Sequence, residues 1–542
     1  MRLNRSLLGP ALVLGIAVLT GGWFFQQGTE RGAPGFLRGR LFDQVADLVS
    51  QNYVEDVDQE ELYNAAIEGM LERLGDPNTA FLQHDDYRNF AIRTEGNYGG
   101  VGLEVVEREG YVTVVTAMPG TPAQRAGIRA GDLIVAVDSE RVVGEGSSDK
   151  AVDRLRGRPG TEVQIGVQRP GVESELEFLV TRERIEVKSV PFHAMLGEDI
   201  GYVPLQIFSE TSTDEVGAAI DSLRAEGARG VVLDLRGNPG GVLDAGIGIS
   251  ELFLDAGADI VETRGRAEMQ SETYRATRAQ RYPGFPLVVL VDERSASASE
   301  IVAGALQDHD RALLIGHRTF GKGSVQTLYP LAGGDVLKLT TARWYTPVGR
   351  SIQKDRSEQV AELSSGALSP FGQLVPRDGE VDLPTVRSVG GRTLVGGGGI
   401  TPDLTVLPDT LPTEAQQAVF ELYKSGGALN RSIFDFVIST LADRGESAGP
   451  PVQVTDALMA DLRRVLEAAG VEADDAVWRA ATPFLRNTLR TELALQASGE
   501  KAQFLVQAEA DRALMRAVEA LRSAGTDAGA LVRVAQGGEG AL

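Results

Sequence analysis

The chain has 542 residues, too many for one core and enough for roughly three or four domains of about 150 residues each. With 42% hydrophobic and 24% charged residues, its composition is that of folded protein, which excludes wholesale disorder. A formal charge of -23 disfavours nucleic acid as a partner, and the lack of cysteine excludes disulfides, a thiolate nucleophile and Cys-ligated zinc.

At the N-terminus, Arg2 and Arg5 precede an uncharged, largely apolar run from Leu7 to Phe25, close to the ~20 residues that span a bilayer as a helix. The basic flank favours a cytoplasmic N-terminus and export of everything after Phe25, with Trp23 to Phe25 as interfacial aromatics. A cleaved signal peptide is the rival reading. No A-x-A-like site follows the run convincingly and no cysteine is available for lipid attachment, so residues 7–25 are expected to stay as an anchor in the cytoplasmic membrane. Residues 1–30 thus read as an anchor or signal segment, and the remainder as extracytoplasmic or periplasmic.

From residue 36 to about 95, apolar residues recur at helical spacing (Phe42, Val45, Leu48, Val49; then Leu62, Ala66, Met70, Leu71, Leu74), which predicts an N-terminal helical region. Over residues 96–186 the texture changes to short β-rich runs, Tyr111 to Thr116, Leu133 to Val137 and Glu162 to Gln168, separated by Gly and Pro turns. This small domain carries Tyr98-Gly-Gly-Val-Gly-Leu103 and then Pro119-Gly-Thr-Pro-Ala-Gln-Arg-Ala-Gly127. A Gly-rich loop leading into an edge strand can hold a peptide's terminal carboxylate on main-chain amides while the peptide extends the sheet. The plainer reading is a hairpin of an ordinary β domain.

Between residues 187 and 408, apolar strands alternate with helices, which predicts βαβ crossovers on a mainly parallel sheet. Gly230-Val-Val-Leu-Asp-Leu-Arg236-Gly-Asn-Pro-Gly240-Gly241 is a buried strand breaking into a Gly-rich turn, whose amides can form half of an oxyanion hole. It has neither a P-loop nor a G-x-G-x-x-G pattern, so a nucleotide site is disfavoured. Leu287 to Val291 is a second buried strand, followed by Ser295-Ala-Ser297-Ala298-Ser299-Glu300 at a helix start. There, unpaired amides and the helix dipole stabilise the negative charge that acyl transfer develops, with the Ala298 amide as the other half of the oxyanion hole. Serine and glutamate three apart are also an ordinary capping box.

Gly321-Lys322-Gly323-Ser324-Val325-Gln326 places a lysine between glycines with a glutamine four positions on. A buried lysine loses its proton more readily because desolvation disfavours the ammonium, so Lys322 can serve a serine as general base while Gln326 orients its amine. A glycine-flanked surface lysine is the alternative. Of the four histidines, His309 reads as solvated or capping and His317 as a weaker alternative base. His84, His193, His309 and His317 are scattered and no H-E-x-x-H occurs, so neither a zinc site nor any cofactor is expected. Gly396 to Gly399 reads as a tight loop. Residues 409–542 read as a helical C-terminal region with runs such as Ala457 to Ala469 and Ala502 to Leu521, and with no recognisable chemistry.

Taken together, the Ser295 to Asp308 segment, Gly321 to Gln326 and Thr341-Ala-Arg-Trp-Tyr-Thr-Pro-Val-Gly-Arg-Ser-Ile352 resemble the PDZ-containing carboxyl-terminal processing (tail-specific) proteases, serine peptidases of the Ser/Lys type. The resemblance spans roughly Leu41 to Leu407. It implies an α/β core like that of the crotonase and Clp protease folds, with the PDZ domain inserted between N-terminal helices and that core, and an additional C-terminal region that it does not cover. It places the nucleophile on Ser297, the base on Lys322 and its orienting partner on Gln326. The oxyanion loop falls on Gly240 or Gly241, and the peptide-binding loop on Gly100, Val101, Gly102 and Leu103. It implies an endopeptidase that processes or degrades exported proteins with exposed apolar C-termini, gated by its PDZ domain or by an adaptor or activator protein. A homo-oligomer through the C-terminal helices is compatible with this, as is a mere packing face. The competing classes are an inactive PDZ scaffold and acyl-thioester chemistry on a crotonase-like fold.

Overall fold

The computed structural model describes residues 38–108, 110–354, 366–376, 383–444, 453–525, 529–531 and 533. The anchor expected over residues 7–25 lies outside these, and no described helix is long and apolar enough to cross a membrane. The chain divides into two compact units, one taking residues up to His84 with Gln326–Thr340, the other Asp85–Val325 with the residues from Thr341 onward.

In the first unit, helix α1 (38–52) is followed by α2 (Gln59–Glu72), which starts where the Asp58 carboxylate accepts the N–H groups of Glu60 and Glu61 at 2.7 and 3.2 Å. The two helices meet through the Phe42 and Tyr63 rings, 5.3 Å apart edge to face. Leu41, Val45 and Leu48 on α1 and Met70 on α2 are exposed. Strand β1 (Ala80–Leu82) pairs antiparallel with 336–338, Ala80 opposite Lys338.

Helix α3 (His84–Glu95), which apart from His84 belongs to the second unit, leads into a small β domain. Its elements are β2 (Asn97–Gly100), β3 (Leu103–Arg108), β4 (Tyr111–Ala117), α4 (Pro122–Ala126), β5 (Leu133–Val137), β6 (Glu140–Arg141), α5 (Ser147–Leu155), β7 (Glu162–Gln168), β8 (Leu176–Thr181) and β9 (Glu183–Glu186). The main path of its sheet runs β3-β4-β5-β7-β8, so β3 is an edge. Strands β2 and β9 pair antiparallel where the domain enters and leaves the chain.

The larger sheet contains β10 (Ala194–Leu196), β11 (Ile200–Pro204), β12 (Gly230–Asp234), β15 (Leu287–Val291), β16 (Leu313–Gly316) and β23 (Leu404–Thr405), in that order; helices α6 (Ser212–Ala225), α7 (Leu243–Glu251) and α8 (Ala298–Asp308) come between. Outside this sheet lie β13 (Asp259–Gly265), β14 (Glu272–Arg275), β17 (Ser324–Pro330), β18 (Val336–Tyr345) and two short antiparallel pairs, β19 (Gly366–Leu368) with β20 (Leu374–Pro376) and β21 (Thr385–Arg387) with β22 (Thr393–Val395). Only β10 is antiparallel to its neighbour. Every residue of β12, β15 and β16 is buried, as continuous apolar runs with helices on both sides require. Because side chains alternate across a strand, Val231, Leu233, Val289 and Leu314 face the core shared with α6, α7 and α8, while Val232, Val288, Leu290, Leu313 and Ile315 face the opposite layer.

That opposite layer is supplied by the C-terminal region. It comprises α9 (Thr413–Tyr423), α10 (Ala428–Arg444), α11 (Asp456–Ala468), α12 (Asp475–Ser498), α13 (Glu500–Ala508) and α14 (Arg512–Ala524). Helices α9 to α12 form their own apolar cluster, whereas Leu514, Ala517, Ala520 and Leu521 of α14 pack beneath the core sheet with Phe504 of α13. The run expected over Ala502 to Leu521 is therefore two helices. The first ends at Ala508 with Glu509 as its C-cap, and Asp511 caps the second, accepting the Leu514 N–H at 3.0 Å.

Candidate active site

Strand β15 ends at Val291, and the Asp292 carboxylate organises the turn that follows. Its Oδ1 accepts the N–H groups of Gly237, Arg294 and Ser295 at 2.9, 3.1 and 3.0 Å. The turn presents three serines in two different states. Ser295 is fully buried, its hydroxyl donating to the Leu235 carbonyl at 2.8 Å, and Ser299 is fully buried with its hydroxyl on the Asn238 carbonyl at 3.0 Å. Ser297 between them is half-buried. It also sits at φ 55° and ψ -113°, a left-handed backbone costing a non-glycine residue on the order of 1–3 kcal/mol.

The capping pattern is present but does not use the Ser297 hydroxyl. The Ser297 N–H donates to Glu300 Oε2 at 2.8 Å and the Glu300 N–H to the Ser297 carbonyl at 2.9 Å. Glu300 is completely buried and does more than cap. Its Oε2 also accepts the Lys322 N–H at 2.9 Å, and its Oε1 accepts the Gly321 N–H at 2.7 Å and the Thr319 hydroxyl at 2.6 Å. Burial pushes this carboxyl above its usual value, and the Thr319, Gly321, Lys322 and Ser297 donors oppose the shift. One carboxylate therefore fixes the main chain of both motif segments. Sequence reasoning saw Glu300 only as a cap.

Lys322 is half-buried, and its carbonyl accepts the Trp344 Nε1–H at 3.1 Å, so its main chain is held from both sides. Gly321 has φ +85°, and a Cβ there would lie 2.5 Å from the Lys354 Cβ. Lys354, unnoticed in the sequence, is 1% exposed with its Nζ 3.3 Å from the Thr319 carbonyl. Gln326 belongs to the first unit, where its side-chain amide donates to Thr340 Oγ1 at 3.3 Å.

The two glycines of the expected oxyanion loop differ. The Gly240 N–H donates to the Asn238 side chain at 2.8 Å, so it is already committed. Gly241 forms a parallel bridge with Phe208, in which Phe208 N–H donates to the Gly240 carbonyl (3.0 Å) and Val242 N–H to the Phe208 carbonyl (2.9 Å). In such a bridge the main-chain groups of Gly241 itself point away from Phe208. A Cβ on Gly240 would lie 2.6 Å from the Ala296 carbonyl oxygen, 2.8 Å from Ser297 Cβ and 2.9 Å from the Ala298 nitrogen, so this turn lies directly against the serine. Ala298 is the first residue of α8, where N–H groups have no partner within the helix. Asn238, also missed in the sequence, holds this arrangement. Its amide donates to the Leu205 carbonyl at 2.7 Å and its own carbonyl accepts the Ala296 N–H at 3.0 Å.

His309 caps the far end of α8, ~18 Å from Ser297 at 1.5 Å rise per residue, with Nε2 2.7 Å from the Asp259 carbonyl. His317 is buried with Nδ1 3.9 Å from Glu293 Oε2. Among the described residues no group of three or more His, Cys, Asp or Glu is placed to hold a metal ion.

Residues 199–360 match peptidase family S41, residues 113–169 match a PDZ domain, and residues 37–86 match the N-terminal domain of the activating protease CtpB. A carboxy-terminal-processing protease of Bartonella bacilliformis is 40% identical over 316 residues, covering 58% of this chain and 72% of that protein. The chain belongs to the carboxy-terminal processing proteases. The carboxy-terminal processing protease CtpA of Bacillus subtilis is 34% identical over 346 residues, covering 64% of this chain and 73% of the relative. Among solved structures, the photosystem II D1 C-terminal processing protease is similar at 32% identity and a TM-score of 0.33, covering 58% of this chain and 89% of that one.

In the PDZ domain of this protease, the four residues of the expected peptide loop have separate duties. Gly100 pairs with Glu183 in the β2–β9 ribbon, and the Val101 side chain is in the domain core. Gly102 has φ +80°, and a Cβ there would meet the Thr121 side chain at 2.4 Å. Its carbonyl accepts the Met118 N–H at 3.0 Å, which leaves the opposed pair Leu103 and Ala117 without mutual hydrogen bonds and turns the Leu103 main chain toward the open edge of β3.

Proposed function

We propose that this serine peptidase is an endopeptidase of exported proteins that forms an acyl-enzyme on Ser297 with Lys322 as general base. The observation that carries the reading is the state of Ser297: of the three serines in the turn it is the one not fully buried, on strained backbone, with its main chain and that of Lys322 joined on one Glu300 oxygen. The Lys322 amine accepts the Ser297 hydroxyl proton as Oγ attacks the scissile carbonyl. The oxyanion is received by the N–H groups of Ala298 and Gly241, and the proton passes to the leaving amine. Water then hydrolyses the ester by the same base. Gln326, four residues beyond Lys322, is the orienting partner that the family motif assigns.

Substrate recognition is assigned to the PDZ edge. An apolar C-terminal tail adds a strand beside β3 with its carboxylate on the amides of the Gly102–Leu103 loop. The Arg108 guanidinium, at the end of β3, lies 4.5 Å from the centre of the Phe434 ring on α10, which offers tail binding or an adaptor a route to the C-terminal helices. The accompanying organisation is a membrane anchor or signal segment in residues 1–30, helices over 36–95, PDZ domain over 96–186, protease core over 187–408 and helical region over 409–542. The location is extracytoplasmic. The exposed apolar face of Leu41, Val45 and Leu48 on α1 is suited to a second copy of the chain, which sedimentation of a Val45→Glu variant tests.

The decisive experiment compares the detergent-solubilised full chain with its Ser297→Ala form on an unfolded protein bearing an apolar C-terminus, followed by intact mass. Cleavage only by the unmutated chain is expected. Equal cleavage by both removes Ser297 from the mechanism, and tail binding without cleavage by either identifies a scaffold.

A further inference from the structure

We propose that Asp511, in the helical C-terminal region, is a positioning residue for the oxyanion loop and acts through Arg236. The inference rests on the reading of Ser297 and Gly241 given above. Arg236 is two residues beyond the end of β12 and opens the turn that runs Gly237, Asn238, Pro239, Gly240, Gly241. Its guanidinium is gripped from two sides. Asp234 accepts Nε–H at 2.9 and 3.1 Å and Nη2–H at 2.6 Å, while Asp511, 275 positions away, accepts Nη1–H at 3.1 Å and Nη2–H at 2.7 Å. The Tyr202 hydroxyl completes the cluster by donating to Asp234 at 2.8 Å.

Two features make this more than a tether. First, Asp511 is the N-cap of α14, the helix packed under strands β11, β12, β15 and β16, so the carboxylate that holds Arg236 is anchored to the sheet itself. Second, a cavity of about 320 Å³ opens beside the cluster, lined among others by Arg236, Gly237, Asp511 and Phe504. Packing does not lock the guanidinium on that side, and its direction is set by the two carboxylates. Beyond Arg236 the loop is held by short bonds in series: Gly237 to Asp292, Asn238 to Leu205 and Ala296, Gly240 to Asn238. A shift at Arg236 is thereby passed toward the amide of Gly241, where donor placement within a few tenths of an ångström decides how well an oxyanion is held.

The test uses the full chain and a short peptide substrate. Asp511→Asn keeps a residue that caps helices well and removes only the charge. It is expected to lower kcat about tenfold with KM within about twofold, the pattern of an interaction realised in the transition state. It is also expected to weaken a peptide aldehyde inhibitor, whose adduct carries an oxyanion, by a similar factor, while tail-peptide affinity holds and the melting temperature falls only by the loss of one ion pair, with the protein still folded at the assay temperature. Asp511→Glu should restore part of the rate. Arg236→Gln should lower kcat comparably, and the double variant with Asp511→Asn should be no worse than the single. Arg512→Ala, which breaks the neighbouring exposed pair with Asp409, should leave kcat unchanged. Unchanged kcat and inhibitor affinity in Asp511→Asn, with Ser297→Ala inactive, overturns the inference and leaves the Ser297 reading intact. Loss of kcat fully matched by loss of folded protein, or additive single effects, also overturns it. Activity of Ser297→Ala would instead remove the reading on which it rests.

Discussion

The main-chain N–H groups of Ser297 and Lys322 donate to the same atom, Glu300 Oε2, at 2.8 and 2.9 Å. Two segments separated in sequence are thus held in register by a single buried carboxylate, whose other oxygen holds Gly321 and Thr319.

Replacing that carboxylate by an amide puts an NH2 group against donors. Glu300→Gln is expected to leave about two N–H or O–H groups unpaired in the interior, at ~1–3 kcal/mol each, and to reduce kcat roughly 10- to 100-fold. Steady-state kinetics with a thermal melt measure both. Because burial raises the folded-state value of Glu300, folding binds its proton more tightly than the unfolded chain does. Its contribution is therefore fully favourable below the usual glutamate range and declines as pH rises through the folded value. The Gln variant should lack that component of the melting profile.

Gly240→Ala should be more severe. The new methyl meets the Ala296 carbonyl, Ser297 Cβ and the Ala298 nitrogen, all closer than 3.0 Å and none able to swing aside, at φ +91°. Activity is expected to fall more than ~100-fold, with folded protein recovered at a lower melting temperature.

Lys322→Ala should abolish cleavage, whereas His309→Ala should keep most of it, since His309 is bound to Asp259 at the opposite end of α8. Lys354→Met, applied to the buried second lysine, should lower stability more than kcat per folded molecule. A dead His317→Ala variant with folded structure would instead transfer the base role to that histidine.

Gly102→Ala is expected to weaken tail-peptide binding by tenfold or more, about 1.4 kcal/mol, because a Cβ collides with Thr121 and the backbone is left-handed. Cleavage of short peptides without an apolar tail should change little. Fluorescence anisotropy and peptide kinetics separate the two.

At low pH the Asp511–Arg236 pair should fail. Burial would raise the Asp511 carboxyl, but the attraction of Arg236 and its hydrogen bonds outweigh it and hold the group below the usual aspartate value. A lowered folded value means stability that is present above the unfolded aspartate value and is lost as pH falls through the folded one. Melting temperatures taken from pH 6 downward should show this acid-side loss in the natural chain and a smaller one in Asp511→Asn.

The sequence by itself determined the elements that depend on local pattern and the serine peptidase class. Buried strands such as Gly230–Asp234 and Leu287–Val291 declare themselves by their apolar runs, Val231–Leu233 and Leu287–Val291, and the serine, lysine and Gly-Gly motifs by residue types that few roles require together. It could not choose between Gly240 and Gly241, because the difference lies in what each N–H meets in the folded turn: that of Gly240 donates to the Asn238 side chain, and that of Gly241 points away from Phe208. It read Glu300 as a cap and passed over Asn238, since their further partners, Lys322, Gly321, Leu205 and Ala296, are brought near only by the sheet. It assigned no chemistry to the C-terminal helices. Their periodicity records that one face is buried but not against what, and only the tertiary structure sets α14 beneath the core and Asp511 on Arg236, where a contact across 275 positions leaves no local pattern to read.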